Sequence, residues 1–132
     1  MTEKDLQRTY YIHREIQLYE DKLRTLRQVT LTGGGGMSGM PRGGDLGDRT
    51  SGSAIKVADI ERKILKLQRR LVKVEAEIME YITTVPDSFI RQLLFLRFVE
   101  CSSWDEVAAK IGGGNSADGC RKATRRFLDK GI

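Results

Sequence analysis

Residues 103–128 read Ser103-Trp104-Asp105-Glu106-Val107-Ala108-Ala109-Lys110-Ile111, then Gly112-Gly113-Gly114, then Asn115-Ser116-Ala117-Asp118-Gly119-Cys120-Arg121-Lys122-Ala123-Thr124-Arg125-Arg126-Phe127-Leu128. Ser103 and Glu106 have the spacing of a capping box, which satisfies two orphan N–H groups of a first helical turn. Behind that start Trp104, Val107, Ala108 and Ile111 recur at i, i+3, i+4 and i+7, the period of one buried helical face. Gly112 is suited to the left-handed residue that ends a helix. Asn115, or Ser116 one residue on, can cap the next helix. In that helix Cys120, Ala123 and Phe127 share a face with Leu128 at its edge, and Arg121, Lys122, Arg125 and Arg126 occupy the other.

Two short helices joined by a glycine turn, the second of them basic, make the helix-turn-helix pattern of DNA-binding proteins. The plain alternative is a small helical bundle with a solvated basic face. The distribution of charge favours the first reading. The 132 residues carry a formal charge of +5, without a basic tail, and within 119–130 five basic groups face one acidic group. A local excess of this kind is where a phosphate backbone would be met.

Outward from this stretch, Ser88 to Phe98 is apolar on most sides, with Phe89, Ile90, Leu93, Leu94, Phe95, Leu96 and Phe98. It is expected to be the core helix on which the helix-turn-helix packs. Pro86 ends the preceding helix, and Asp87 or Ser88 can cap this one. Residues 54–84 hold the cleanest periodicity in the chain, as Val57, Ile60, Ile64, Leu67, Leu71, Val74, Ile78 and Tyr81 step by three and four. Residues 3–31 read as a second long helix, with Leu6, Ile12, Ile16, Tyr19, Leu23 and Leu26 near a heptad seam. A narrow apolar stripe needs a partner helix in water. The expectation is an all-α protein: a long antiparallel helical hairpin, or coiled coil, over 1–85, followed by a helix-turn-helix DNA-binding domain over 86–132. Two such hairpins could pair, making a homodimer through the coiled coil a further expectation.

Between the two seams, 32–53 is rich in glycine and reads as a flexible connection. It lacks G-x-x-x-x-G-K-[ST] and a flanking strand, so a P-loop is excluded. Arg42 and Arg49 are its candidate contacts to DNA or a partner, ordered on binding.

Other chemistries find little support. Cys101 and Cys120 have no C-x-x-C spacing and no neighbouring histidine, so no zinc site is expected, and a reducing compartment suits them. His13, the one histidine, has no metal-ligand companions in sequence and reads as a half-exposed helix residue. No nucleophile–base pair or paired acids stand in a recognisable setting, so neither an enzyme nor a cofactor is expected. No apolar run nears the ~18 residues of a membrane span and no signal peptide is evident, so no membrane partner and a cytoplasmic location, in a bacterial host cell, are expected.

Leu96-Arg97-Phe98-Val99-Glu100 followed by Ser103-Trp104-Asp105-Glu106-Val107-Ala108 resembles sigma factor region 4, the module that reads the −35 promoter element. More closely, the chain resembles a phage- and prophage-encoded family of region 4-like proteins. Met40-Pro41-Arg42-Gly43-Gly44, Asp48-Arg49-Thr50 and Gly112-Gly113-Gly114-Asn115-Ser116-Ala117-Asp118 carry that resemblance, which spans most of the chain. Gly119 and Cys120 depart from it, standing where Ser and Val are expected. The resemblance implies kinship with phage regulators of late-gene transcription, and a counterpart of the region that reads the −10 element is lacking.

The leading expectation is therefore a sequence-specific DNA-binding transcriptional regulator of phage type. Asn115, Ser116, Asp118, Arg121 and Lys122 are the candidates for base contacts, and Arg125 and Arg126 for phosphate clamps. Two alternatives stand beside it: a DNA-packaging subunit of small-terminase type, and a coiled-coil adaptor that binds RNA polymerase.

Overall fold

The computed structural model describes residues 1–36 and 43–130, and their side chains apart from those of 29–51 and 53. In chain order the elements are α1 (Glu3–Leu6), α2 (Arg8–Gly36), α3 (Gly43–Thr83), α4 (Ser88–Leu94), a π-helical turn (Phe95–Val99), α5 (Trp104–Ile111) and α6 (Ala117–Asp129). No strand occurs among the described residues, and the protein is all-α as expected.

The helices run further into the glycine-rich stretch than its composition suggested. α2 continues to Gly36 and α3 begins at Gly43, so that of 32–53 only 37–42 lies outside the described residues. A glycine costs a helix about 1 kcal/mol against alanine. Propagation from a helix already nucleated nevertheless adds one hydrogen bond per residue, a cooperative gain that a residue count ignores.

Two compact units form, Met1–His13 with Arg70–Ile132, and Arg14–Arg69. This differs from the expected division into 1–85 and 86–132: the first thirteen residues and the last part of α3 belong with the C-terminal helices. Periodicity identifies a buried stripe without saying what covers it.

In the unit Arg14–Arg69, Ile16, Leu23, Ile60 and Ile64 are buried at 7–9% exposure. Arg27 pairs with Glu61 at 2.8 Å, and the Lys63 ammonium stands 5.8 Å from the centre of the Tyr19 ring. Each joins α2 to α3 at the rim of the apolar stripe.

The other unit has the deeper core. Leu6, Ile78, Leu93, Leu94 and Val107 are fully buried, with Val85, Phe98 and Cys120 close to it. A capping box starts α1, the Thr2 hydroxyl accepting from the Asp5 N–H and the Asp5 carboxylate from the Thr2 N–H. The Thr2 N–H, and then the Thr2 hydroxyl, donate to the Asp5 carboxylate and hold it below its ordinary pKa of 3.8. Arg8 pairs with Glu77 at 3.2 Å, and His13 Nε2 lies 3.6 Å from Glu75. Thr9 is buried and donates its hydroxyl to the Phe98 carbonyl, tying the start of α2 to the end of the π turn.

Asp87, the first of the two expected caps, starts α4 by accepting from the Phe89 N–H at 2.9 Å. The apolar stretch expected as one helix through Phe98 changes at Phe95 to a π turn, closed by the Glu100 N–H on the Phe95 carbonyl. Here Phe98 is buried, while the Arg97 guanidinium stands 4.9 Å from the Trp104 ring centre and donates to the Ser102 carbonyl. Cys101 then takes φ 57°, a left-handed conformation in a non-glycine residue, and the chain turns into α5. α5 and α6 pack on each other, and both pack on α4.

Candidate nucleic-acid interface

The start of α5 follows the capping-box spacing in one half. Ser103 Oγ accepts from the Glu106 N–H at 3.2 Å, and the Ser103 hydroxyl itself lies 3.1 Å from Glu106 Oε1, donating to it. At the far end the Gly112 N–H reaches the Ala108 carbonyl. Gly112 has φ 70° and ψ −153°, so its φ is positive as expected but its ψ is extended instead of helical. That combination is essentially confined to glycine. Gly113 and Gly114 also take positive φ, 67° and 77°, and three such residues in succession turn the chain from α5 into α6.

Ser116, the second of the two expected caps, starts α6. Its hydroxyl accepts from the Gly119 N–H at 3.0 Å. Asn115 does not cap, because its side-chain amide donates to the Gly112 carbonyl at 2.8 Å and closes the turn instead. Gly119 fits this arrangement: a Cβ there would stand 3.0 Å from Ser116 Oγ, closer than the cap tolerates without shifting.

Cys120 and Thr124 are buried on the inner face of α6, and Phe127 and Leu128 are half-buried beside them. Thr124 was not expected inside. Its hydroxyl donates to the Cys120 carbonyl at 3.0 Å, which satisfies a polar group that burial would otherwise penalise. The periodicity of Cys120, Thr124 and Phe127 contained that signal, masked by the polar character of threonine. Burial pushes the thiols of Cys120 and Cys101 up from their ordinary values, which is the wrong direction for a nucleophile.

The outer face carries Asp118, Arg121, Lys122, Arg125 and Arg126. At 100° per residue they lie within roughly 140° of arc, opposite the buried residues. Arg121 and Lys122 have side chains 41% and 62% exposed, and Arg125 and Arg126 are exposed as well. Asp118 bridges the first two, at 2.7 Å to Arg121 Nη2 and 3.0 Å to Lys122 Nζ. The bonds to Arg121 and then Lys122 hold its carboxyl below the ordinary 3.8. Asp118 with Arg121 and Lys122 is an i, i+3, i+4 set, so the pairing was legible in the sequence as well. Arg126 Nε donates to the Lys122 carbonyl at 3.4 Å, and Arg125 has no ion-pair partner among the described residues.

The structure thus brings Asp118, Arg121, Lys122, Arg125 and Arg126 onto one face, with Asn115 and Ser116 exposed at its beginning but engaged in the turn and the cap. Arg42 and the side chain of Arg49 lie outside the described residues. Among the described residues no group of three or more His, Cys, Asp or Glu side chains could hold a metal ion, and no helix is long and apolar enough to cross a membrane. What the face offers chemically is hydrogen-bond donors and positive charge on a rigid helix. Comparison with family models, with curated proteins and with solved structures found no match to this chain.

Proposed function

We propose that the chain is a sequence-specific DNA-binding transcriptional regulator of phage type, with α5, the glycine turn and α6 acting as a helix-turn-helix. The observation that carries this reading is the sidedness of α6. Its buried residues rest on the unit's core while Lys122, Arg125 and Arg126 stand exposed opposite them, with Arg121 half-exposed at their edge. A recognition helix lies in the major groove with its first residues near base edges. That places Asp118, Arg121 and Lys122 near the bases, and Arg125 and Arg126 as phosphate clamps. The resemblance of 96–108 to sigma factor region 4 points the same way.

The long helices are read as an antiparallel coiled-coil hairpin. Within the first unit Arg8 meets Glu77 and His13 meets Glu75, and within the second Tyr19 meets Lys63 and Arg27 meets Glu61. In each pair of contacts one number rises as the other falls, which is the mark of antiparallel neighbours. Tyr11, Leu18, Ile55 and Val72 are more than 60% exposed on these helices. That favours a second reading, in which exposed apolar residues of α2 and α3 meet a protein partner, either another copy of the chain or RNA polymerase.

Selection of bound sequences from a random duplex pool tests the leading reading directly. Binding of the selected duplex should weaken about tenfold in Arg121→Ala, with loss of discrimination. In Arg126→Ala all duplexes should weaken alike, with a salt slope shallower by about one. If neither substitution weakens binding to any duplex, the assignment of α6 fails. The mass in solution separates regulation from packaging: a monomer or dimer fits the regulator, and a ring of many subunits fits a small-terminase role.

A further inference from the structure

The basic face of α6 is built in two parts. In its first turn a single carboxylate is shared by two cations, Asp118 Oδ1 with Arg121 Nη2 at 2.7 Å and Asp118 Oδ2 with Lys122 Nζ at 3.0 Å. One turn further on, among the described residues, Arg125 has no ion-pair partner and the Arg126 Nε donates to the Lys122 carbonyl.

The difference has a physical consequence for a helix that meets a polyanion. An untethered lysine or arginine swings to the nearest phosphate whatever the sequence, and each phosphate neutralised adds about 0.9 to the salt slope. A cation held by Asp118 must give up that bond to do the same, and the carboxylate itself repels phosphate. Base recognition is less affected. Asp118 occupies one of the five guanidinium N–H donors of Arg121, which leaves donors for a purine edge, and a carboxylate can itself accept from cytosine N4. Asp118, whose carboxyl its bonds to Arg121 and then Lys122 hold below the ordinary 3.8, is ionised throughout the neutral range, as any aspartate near that value is.

We propose that Asp118 is a specificity-determining positioning residue: by tethering Arg121 and Lys122 it withholds them from the phosphates of arbitrary duplex and presents Arg121 to base edges. This inference rests on the DNA-binding reading of α6.

The test uses the full chain with Asp118→Asn and Asp118→Glu. Binding to the selected duplex and to a scrambled duplex of equal length is followed by fluorescence anisotropy across a salt series. Asp118→Asn should bind the scrambled duplex several-fold tighter, with a slope steeper by about two, one for each cation released, and the ratio of selected to scrambled affinity should fall about tenfold. Asp118→Glu keeps a carboxylate within reach of both cations and should stay within about twofold of the wild-type ratio. If Asp118→Asn changes both affinities by one common factor at an unchanged slope, or if Asp118→Glu loses the ratio as fully as Asp118→Asn, the inference is overturned while the DNA-binding reading stands. If the wild-type chain binds no duplex, the reading itself fails and the inference falls with it.

Discussion

The two units bury comparable aliphatic side chains to different depths. In Arg14–Arg69 the buried residues come from α2 and α3, and none of Ile16, Leu23, Ile60 and Ile64 falls below 7% exposure. In the unit that holds α4, α5 and α6, Leu6, Leu93, Leu94 and Val107 reach 0%. A stripe on a long helix leaves its edges open to water, whereas several short helices packed around α4 close over a side chain from every direction. The lesson is that a regular heptad covered by one partner helix buries shallowly, whereas the same repeat reaches 0% at Ile78, in the unit that holds the C-terminal helices. The irregular C-terminal part, with its π turn and glycines, has the tighter core and holds the candidate interface rigidly.

The largest effect should come from breaking this contrast at its centre. Leu94→Ala is expected to cost about 4 kcal/mol and Leu23→Ala about 2 kcal/mol, since the cost of such a truncation depends on how enclosed the site is. Urea denaturation of the two variants measures the difference, and equal losses would mean that the two cores are equivalent. Glycines sharpen the comparison next. Gly112→Ala forces a side chain into φ 70°, ψ −153° and should destabilise by about 2 kcal/mol. Gly52→Ala, in the helical part of α3 with nothing within 4 Å of the new Cβ, should stabilise by about 1 kcal/mol. Thermal melts of both decide whether the opposite signs hold.

Smaller still is the loss of the α6 cap. Ser116→Ala should cost about 1 kcal/mol and weaken every duplex slightly by fraying the first turn that carries Asp118. The least effect is that of acid. The pKa values of Asp5 and Asp118 are depressed in the folded chain, so the stability they contribute is present above 3.8 and is lost as the pH falls through their lowered values. Far-UV circular dichroism through that window should show a small loss of helix, absent from the double variant Asp5→Asn, Asp118→Asn. An unchanged loss in that variant would place the acid sensitivity elsewhere.

The resemblance of 96–108 to region 4 and the sidedness of 117–129 are separate supports for one reading, because the first rests on residues before the turn and the second on the helix after it. Neither needs the long helices. Experiments on α6 do not bear on Leu18, Ile55 and Val72, and binding studies with each of these exposed residues made polar address them separately.

The sequence by itself determined what depends on near neighbours. The helical class, the starts of α4 and α5, the stripe from Ile60 to Ile78 and the outward basic face of α6 all follow from spacings of two to four residues, which the helix geometry converts directly into position. Choices between adjacent candidates went beyond it: Ser116 and not Asn115 caps α6, because Asn115 is drawn to the carbonyl of Gly112 by a turn whose three glycines all take positive φ. Only the tertiary structure decided that Leu6 and Thr9 belong with the C-terminal helices, that Phe95–Val99 widens into a π turn, and that Thr124 faces inward. Those outcomes turn on partners distant in the chain, such as the Phe98 carbonyl that receives the Thr9 hydroxyl 89 residues away. No local period encodes which distant atom will be there to meet it.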